Sequence, residues 1–335
     1  MTGVKNLLRS GLVVGIPLFV VLLAYQGFGT VADALLTAGW GLLAVAAFHL
    51  VPLVMDAVAW RVLLSTRARV GFWTAVFARW ISESVNTLLP VAQIGGAVVR
   101  SNLVARRGVP GAFAGASVVV DVTTLVASQI AFTLLGLALL MAQVGGARLA
   151  PTALGGTVVM TVVLALFYVL QRRGLFRGLA GLLMRLAPAG VGRSLAAGAE
   201  DLDADIGRLY GQGRALLGAL FWHLLAWLAG AGEVWLALTF LGHPVDFSTA
   251  LLLESLGQAI RAAAFLIPGA LGVQEGGYML LGQVLGIEPQ TGFALSLCKR
   301  VRELLLGLPG LVAWQFEEAK ALVGDRSQQA GMEGL

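Results

Sequence analysis

The sequence predicts an all-α polytopic membrane protein, and three observations lead to that prediction. Hydrophobic residues make up 58% of the 335 residues and charged residues only 12%, whereas soluble domains are about half apolar and about a quarter charged. Six apolar runs have the length of roughly 20 residues that crosses a bilayer. The arginines are concentrated in the connections between these runs, which is typical of the cytoplasmic side of a membrane.

The apolar runs are interpreted as membrane spans at 12–28, 38–59, 113–142, 152–170, 215–241 and 291–314. Two further stretches, 72–99 and 249–285, are broken: each has an apolar helical segment, a break containing proline and glycine, and a second, shorter segment. Proline removes a backbone N–H and glycine tolerates unwound backbone. Freed backbone groups cannot face lipid, so each break must be buried in protein or line a wet cavity.

The chain is predicted to form one transmembrane domain at 1–315, followed by a polar cytoplasmic tail at 316–335 that is expected to fray. The domain divides into a first half at about 1–170, a cytoplasmic loop at 171–214 and a second half at 215–315. The loop mixes arginines with an acidic run. This pattern indicates either one or two amphipathic helices on the membrane surface or a solvated connector.

The distribution of basic residues predicts that both termini are cytoplasmic. If each broken stretch returns to the side it entered, 17 of the 23 lysines and arginines fall in cytoplasmic loops. Five more lie within apolar segments, and only Arg148 lies in a loop on the external side of the membrane. This asymmetry favours a bacterial cytoplasmic (inner) membrane protein with an external loop at 242–246. Two full crossings in each broken stretch would give the same count, so that alternative stays open.

The two broken stretches share an order of features, which predicts an internal repeat. The first contains Glu83-Ser84, Pro90 and Gly95-Gly96, with Asp121 in the next span. The second contains Glu254-Ser255, Pro268 and Gly276-Gly277, with Arg300 in the next span. Because the stretches open to opposite sides in the predicted topology, we expect inverted repeats. Their two broken or re-entrant helical hairpins would meet near the bilayer midplane and form a site.

Ionisable residues are unusually frequent inside the apolar segments, and such residues are costly unless they are paired or hydrated. They are Asp56, Arg79, Glu83, Asp121, Glu233, Glu254, Arg261, Glu275, Lys299, Arg300, Arg302 and Glu303. One interpretation is a polar cavity that accepts a lipid headgroup, and the other is a set of ion pairs that hold the helices together. The three basic residues near 300 are also compatible with a helix end from which they reach the interface.

Several classes of function are disfavoured by the sequence. No Ser-hydrolase, zinc-protease or P-loop motif is present, so we expect no catalytic residue and no cofactor. His49 and Asp56 share a helix face but are too few for a metal site, and His223 is expected to donate a hydrogen bond between helices. The single cysteine, Cys298, is interpreted as a small buried residue. The basic charge lies in loops between apolar runs, which argues against nucleic acid as a partner.

Two segments resemble a known family. The motif WISESVNTLLPVAQIGGAVVR at 80–100 precedes SVVVDVTT at 117–124, and FLIPGALGVQEGGY at 265–278 precedes LCKRVRELLLGLPGLVAW at 297–314. These motifs are similar to the transmembrane region shared by lysylphosphatidylglycerol synthases and flippase-like membrane proteins. The first is most similar to the hopanoid-biosynthesis-associated branch. Many relatives have an Asp-Arg pair where this chain has Asp121-Val122, and no synthase domain follows the spans.

The resemblance implies lipid translocation or lipid binding, with a hopanoid or a phospholipid as substrate and membrane lipids as partners. The positions that match the family motifs are Pro90, Gly95, Gly96, Arg100, Asp121, Pro268, Gly272, Glu275, Gly276 and Arg300. Position within the broken stretches adds Glu83, Asn86, Gln93, Glu254 and Arg261 as cavity candidates. The alternatives are a non-transporting partner of lipid-biosynthesis enzymes and an intramembrane lipid-modifying enzyme.

Overall fold

A computed structural model describes residues 36, 38–89, 94–144, 150–178, 192–264, 270 and 272–333, and these residues form helices and short connections without a strand. The helices are α1 Gly41–Leu64, α2 Phe72–Leu88, α3 Gly95–Ala105, α4 Gly111–Val144, α5 Ala150–Arg172, α6 Gly192–Tyr210, α7 Gly213–Phe240, α8 Phe247–Ala263, α9 Val273–Val284 and α10 Pro289–Glu333. The all-α prediction is confirmed. The predicted span at 12–28 lies outside the described residues.

Three of the helices are long and apolar enough to cross a bilayer: Gly41–Leu64, Gly111–Ala142 within α4, and Gly213–Phe240. Large apolar side chains also cover the outer face of α5, where Val159, Val163 and Leu166 are each more than half exposed. Exposed apolar area of this extent is unfavourable in water and favourable in lipid. The chain is therefore an integral membrane protein.

Both broken stretches fold as helical hairpins whose arms approach closely through glycine. In the first, a Cβ on Gly96 would lie 2.1 Å from the carbonyl oxygen of Ser82, and the Gly96 N–H donates to Asn86 Oδ1 at 2.8 Å. In the second, a Cβ on Gly257 would lie 2.7 Å from the Tyr278 ring. Such contacts bring α3 against the end of α2, and α9 against the end of α8.

The hairpins make matching contacts with the opposite half of the chain. Ser84 of α2 packs against Gly310 of α10, where a Cβ would lie 2.0 Å from the hydroxyl oxygen. Ser255 of α8 packs against Gly136 of α4, where the corresponding distance is 1.7 Å. Each serine directly follows the glutamate that the two stretches have in common. These contacts support the predicted repeat, whose inverted orientation in the membrane stays a prediction.

Among the described residues, the two largest apolar cores lie toward opposite ends of the long helices, with polar side chains between them. In α1, Leu42 and Val45 belong to one core and Trp60 and Leu63 to the other. The same division recurs in α4 and α10. The ionisable residues of these helices fall mainly between the two cores, and we call this region the polar layer. It includes His49, Asp56, Asp121, His223, Glu233, Lys299, Arg300, Arg302 and Glu303.

The connection at 171–214 and the tail are helical in much of their described length. The described part of the connection includes the amphipathic helix α6, in agreement with one of the two predicted alternatives; it buries Ile206 and Leu209 in a core while Asp205 pairs with Arg67 at 2.5 Å. The predicted fraying of the tail does not appear in the backbone, because α10 continues to Glu333. Its extension is anchored where Glu317 pairs with Arg107 at 2.9 Å.

Candidate functional site

A chain of ion pairs connects the first hairpin to α1, α4 and α7. Arg79 pairs with Asp56 at 2.7 Å, and Asp56 contacts His223 Nδ1 at 2.7 Å. His223 Nε2 lies 3.0 Å from Asp121, which pairs with Arg100 at 2.7 Å. We call these five residues the Asp56–Asp121 chain. It joins five helices, α1, α2, α3, α4 and α7, so it holds the first hairpin in the bundle.

The Arg100–Asp121 pair is sealed from solvent. Its side chains are 1% and 0% exposed, and the Arg100 guanidinium lies 4.8 Å from the centre of the Trp60 ring. The Trp60 indole N–H donates to the Ser117 hydroxyl at 3.0 Å, which fixes the ring. This is the packing expected of an ion pair that stabilises the fold, since a desolvated charge needs both a counter-ion and close neighbours.

A second group of charges surrounds His49 of α1. Its Nδ1 lies 2.6 Å from Glu233 of α7, and its Nε2 lies 2.8 Å from Glu83 of α2. Arg302 of α10 approaches the same Nε2 at 2.9 Å and lies 3.2 Å from Glu233. We call these four residues the His49 cluster. Glu83 is its most accessible member, with 27% of its side chain exposed.

Lys299 connects the His49 cluster to the second hairpin. Its ammonium group lies 2.6 Å from Glu254 and 3.9 Å from Glu233. The Glu254 carboxylate also accepts hydrogen bonds from the Tyr278 hydroxyl at 3.2 Å and from the Gln258 amide at 2.8 Å. Every partner of Glu254 is supplied by the protein, and the carboxylate is 4% exposed. This arrangement leaves it little capacity to bind a ligand.

The remaining charges join α8, α9 and α10. Arg261 pairs with Glu303 at 2.6 Å, and Arg300 contacts Glu303 at 3.2 Å and Glu275 at 3.1 Å. The Glu275 carboxylate also accepts the Gly272 backbone N–H at 2.7 Å and so caps the start of α9. Gly272 has a φ of 76°, a conformation that glycine adopts without steric cost. Glu275 therefore has a local structural role besides its ion pair.

The structure brings most of the predicted site residues into one region. Those in the polar layer or directly beside it are Glu83, Arg100, Asp121, Glu254, Arg261, Glu275 and Arg300. Asn86, Gly95 and Gly96 shape the start of α3, while the Cβ position of Gly276 is open. Pro90, Gln93 and Pro268 lie outside the described residues. The predictions that Pro90 and Pro268 mark the breaks and that Gln93 lines the cavity are not tested by the structure.

Three residues at the centre of the polar layer are not among the predicted site residues, and the basic residues near 300 differ from one of their interpretations. His49, His223 and Glu233 were not among the site candidates, although an ionisable residue in an apolar helix was a sufficient signal. The alternative in which the basic residues near 300 reach the interface from a helix end does not hold. Lys299 is 2% exposed and Arg302 is 6% exposed. Because α10 continues to Glu333, these residues lie well inside the helix and take buried partners.

A groove runs between α1, α2 and α10 toward the His49 cluster. It has a volume of about 540 Å³ and is lined mainly by apolar side chains, including Leu50, Phe77 and Trp80, with Arg107 at one end. It is open along one side, because Leu50 is 45% exposed. We call this the α1–α2–α10 groove. Its shape and lining suit a hydrocarbon chain.

A polar cleft continues from the groove. Leu53, Trp80 and Leu306 line both, and the cleft adds Glu83, Ser84, Thr87, Arg302, Glu303 and Gly307. The cleft has a volume of only about 10 Å³, which is near the minimum for one water molecule. A headgroup could reach these charges only if the helices around the cleft move apart. Among the described residues, no group of three or more histidine, cysteine, aspartate or glutamate side chains could hold a metal ion.

The comparisons with known proteins agree with this architecture. A family model described as the lysylphosphatidylglycerol synthase TM region matches residues 9–310, which includes both hairpins and the polar layer. No curated protein and no solved structure gives a significant match to the sequence. The match covers most of the chain, so this protein belongs to the family of lysylphosphatidylglycerol synthase transmembrane regions.

Proposed function

We propose that the protein binds a membrane phospholipid and moves its headgroup across the bilayer through the polar layer. The observation that carries the proposal is the continuity of an apolar, laterally open groove with a cleft lined by charged residues. A phospholipid has the same two parts, a hydrocarbon region and a charged headgroup. The family relationship, which associates the chain with lipid metabolism or transport, supports the same proposal.

The groove supplies apolar surface for an acyl chain, and the charges supply contacts for the headgroup. Arg107 at the end of the groove is 35% exposed in its side chain, and Arg302 lies in the cleft. Guanidinium groups bind phosphate oxygens well because their N–H groups match the phosphate in geometry. This charge distribution favours a phospholipid over a hopanoid without a charged headgroup.

Movement of the headgroup requires the polar cleft to widen. The contact between α2 and α10 beside the cleft is where we expect this to occur. Gly307 of α10 contacts Leu88 of α2, where a Cβ would lie 2.6 Å from the side chain. Gly310 lies one turn further along against Ser84. Small residues let the backbones of α2 and α10 approach closely here, and Ser84 and Gly307 of this contact line the cleft. We propose that α2 and α10 separate here.

The test is lipid translocation by the purified protein in liposomes that carry phospholipid reporters in one leaflet. Replacing Leu50 with tryptophan should fill the groove and reduce the rate of translocation by about tenfold or more. Leu166→Trp on α5 is the matched control, because Leu166 is 58% exposed and lies away from the groove. It should leave the rate unchanged.

Other outcomes of this assay separate the rival functions. Lipid that binds but does not change leaflet would contradict translocation and favour a non-transporting partner of lipid-biosynthesis enzymes. A chemically altered lipid, detected by mass spectrometry, would favour an intramembrane enzyme. Translocation of a hopanoid reporter in preference to phospholipid would overturn the assignment of the substrate class.

A further inference from the structure

The Nε2 atom of His49 contacts two groups that require opposite protonation states of that atom. Nε2 lies 2.8 Å from Glu83 Oε1 and 2.9 Å from Arg302 Nη1. A carboxylate can only accept a hydrogen bond, so the first contact requires a proton on Nε2. A guanidinium can only donate, so the second contact requires a free lone pair on Nε2. A single protonation state cannot satisfy both contacts.

The other nitrogen of His49 makes one consistent contact. Nδ1 lies 2.6 Å from Glu233 Oε2. Arg302 and Lys299 approach the other oxygen of Glu233 at 3.2 Å and 3.9 Å, which favours the ionised carboxylate. Nδ1 therefore donates to Glu233 in either state of the ring. The proton that can be gained or lost is the one on Nε2.

The two protonation states expose different charges to the polar cleft. When Nε2 carries a proton, it donates to Glu83, and Arg302 Nη1 is left without its contact to His49. When Nε2 is unprotonated, it accepts from Arg302, and Glu83 loses its hydrogen bond. Glu83 and Arg302 both line the cleft. The state of His49 thus determines whether a cationic or an anionic group is available to a headgroup.

We infer that His49 is a proton-binding site that couples proton uptake to the binding of an anionic lipid headgroup, an inference that rests on the proposed function. A proton from water binds Nε2, and Arg302 becomes available to a headgroup phosphate in the widened cleft. Reciprocity requires that the phosphate favour proton binding by the same factor. A proton and an anionic headgroup therefore occupy the protein together.

The charged groups facing His49 come from three helices packed against α1. They are Glu83 of α2, Glu233 of α7 and Arg302 of α10, with Lys299 and Glu303 of α10 behind them. Helix α4 also packs against α1, but its carboxylate, Asp121, contacts His223 instead. His223 differs from His49 because carboxylates contact both of its nitrogens. Both contacts are satisfied when both ring nitrogens carry a proton, so they do not require different protonation states.

The test measures proton uptake when purified protein in detergent binds short-chain phosphatidylglycerol in weakly buffered solution. The wild-type protein should take up protons on binding and bind about tenfold more weakly as the pH rises through the range from about 5 to 8 in which histidine titrates. His49→Gln should abolish both effects. His243→Gln, in the exposed loop between α7 and α8, is the matched control and should behave like the wild type.

Each further outcome supports or overturns the inference. Binding by the wild type without proton uptake would overturn it, as would uptake that persists in His49→Gln. If that variant does not fold, Glu83→Gln serves instead: it removes, at a partly exposed position, the negative charge that stabilises the proton on Nε2, so uptake should fall. Wild-type protein that binds no lipid at all would refute the proposed function itself. Inorganic phosphate at equal concentration should cause little uptake; equal uptake would indicate a free-anion site.

Discussion

The two hairpins carry a glutamate at the corresponding position, but the partners of the two carboxylates differ. Glu83 precedes Ser84 and contacts His49, and 27% of its side chain is exposed. Glu254 precedes Ser255 and pairs with Lys299, with 4% exposed. A lysine paired at 2.6 Å keeps its carboxylate occupied, whereas a histidine can lose its proton and release it. The proposed proton-dependent contact therefore belongs to the first hairpin, whereas the carboxylate of the second is held by a buried lysine.

The ion pairs between the second arm of each hairpin and the following helix differ in the opposite direction. In the first half an arginine on the hairpin, Arg100, pairs with Asp121 on the following helix, and both are almost fully buried. In the second half the charges are exchanged: Glu275 on the hairpin pairs with Arg300, which is 16% exposed. The Arg100–Asp121 pair therefore has the burial expected of a structural ion pair, and the more exposed Glu275–Arg300 pair is the better candidate for a polar cavity.

The largest loss of stability is expected from breaking the buried Arg100–Asp121 pair. Asp121→Asn should leave the buried Arg100 without its counter-ion and His223 with Asp56 alone, and it should destabilise the protein by about 3–5 kcal/mol. The variant should fail to accumulate in membranes, which western blotting and thermal unfolding would measure. Normal accumulation and an unchanged melting temperature would show that water reaches this pair, and the comparison between the halves would then fail.

A smaller loss of stability is expected in the second half. Glu275→Gln removes the carboxylate charge from one hydrogen bond, with Arg300, and Arg300→Ala removes two, with Glu275 and Glu303; each charge-assisted bond contributes about 1.5–3 kcal/mol. Both variants should insert and fold while their lipid translocation falls sharply. The assay is leaflet translocation beside thermal stability for each variant and for the charge-swapped double variant. Normal translocation in both single variants would show that these residues take no part in translocation. Folding that is recovered only in the charge-swapped double variant would show that the pair only stabilises the fold.

The glycine contacts test whether the halves are equivalent in packing. Gly136→Ala and Gly310→Ala should each cost about 1–3 kcal/mol, because the added methyl group overlaps a serine in the other half. Ser255→Gly and Ser84→Gly should restore stability in the matching double variants. Thermal unfolding of the two double-mutant cycles gives the coupling energies. Coupling in one half only would contradict the symmetry of the contacts.

The smallest effect on stability is expected at the exposed end of α10. Arg107→Ala and Arg106→Ala each remove one exposed ion pair, with Glu317 and Glu318, and each should change stability by about 1 kcal/mol or less. Of these two arginines, Arg107 lines the α1–α2–α10 groove and Arg106 does not. Affinity for short-chain phosphatidylglycerol should therefore fall in Arg107→Ala and stay unchanged in Arg106→Ala. Equal losses of affinity would indicate a general effect of surface charge.

The sequence by itself determined the class of the protein and the location of its unusual residues. Apolar runs of membrane length predict helices because each helix satisfies its own backbone hydrogen bonds in lipid. The ends of α2 and α8 are near the prolines and glycines that predicted the breaks. Charged residues inside apolar segments were visible as candidates because their presence there carries a free-energy cost.

Only the tertiary structure decided which of these residues meet. Glu254 and Arg261 share a helix face, but the first pairs with Lys299 and the second with Glu303. The partners of His49 lie 34, 184 and 253 positions away in the chain, and a single histidine in an apolar helix produces no periodic pattern. Helical spacing relates residues within a few turns, whereas these contacts depend on how α1, α2, α7 and α10 pack together.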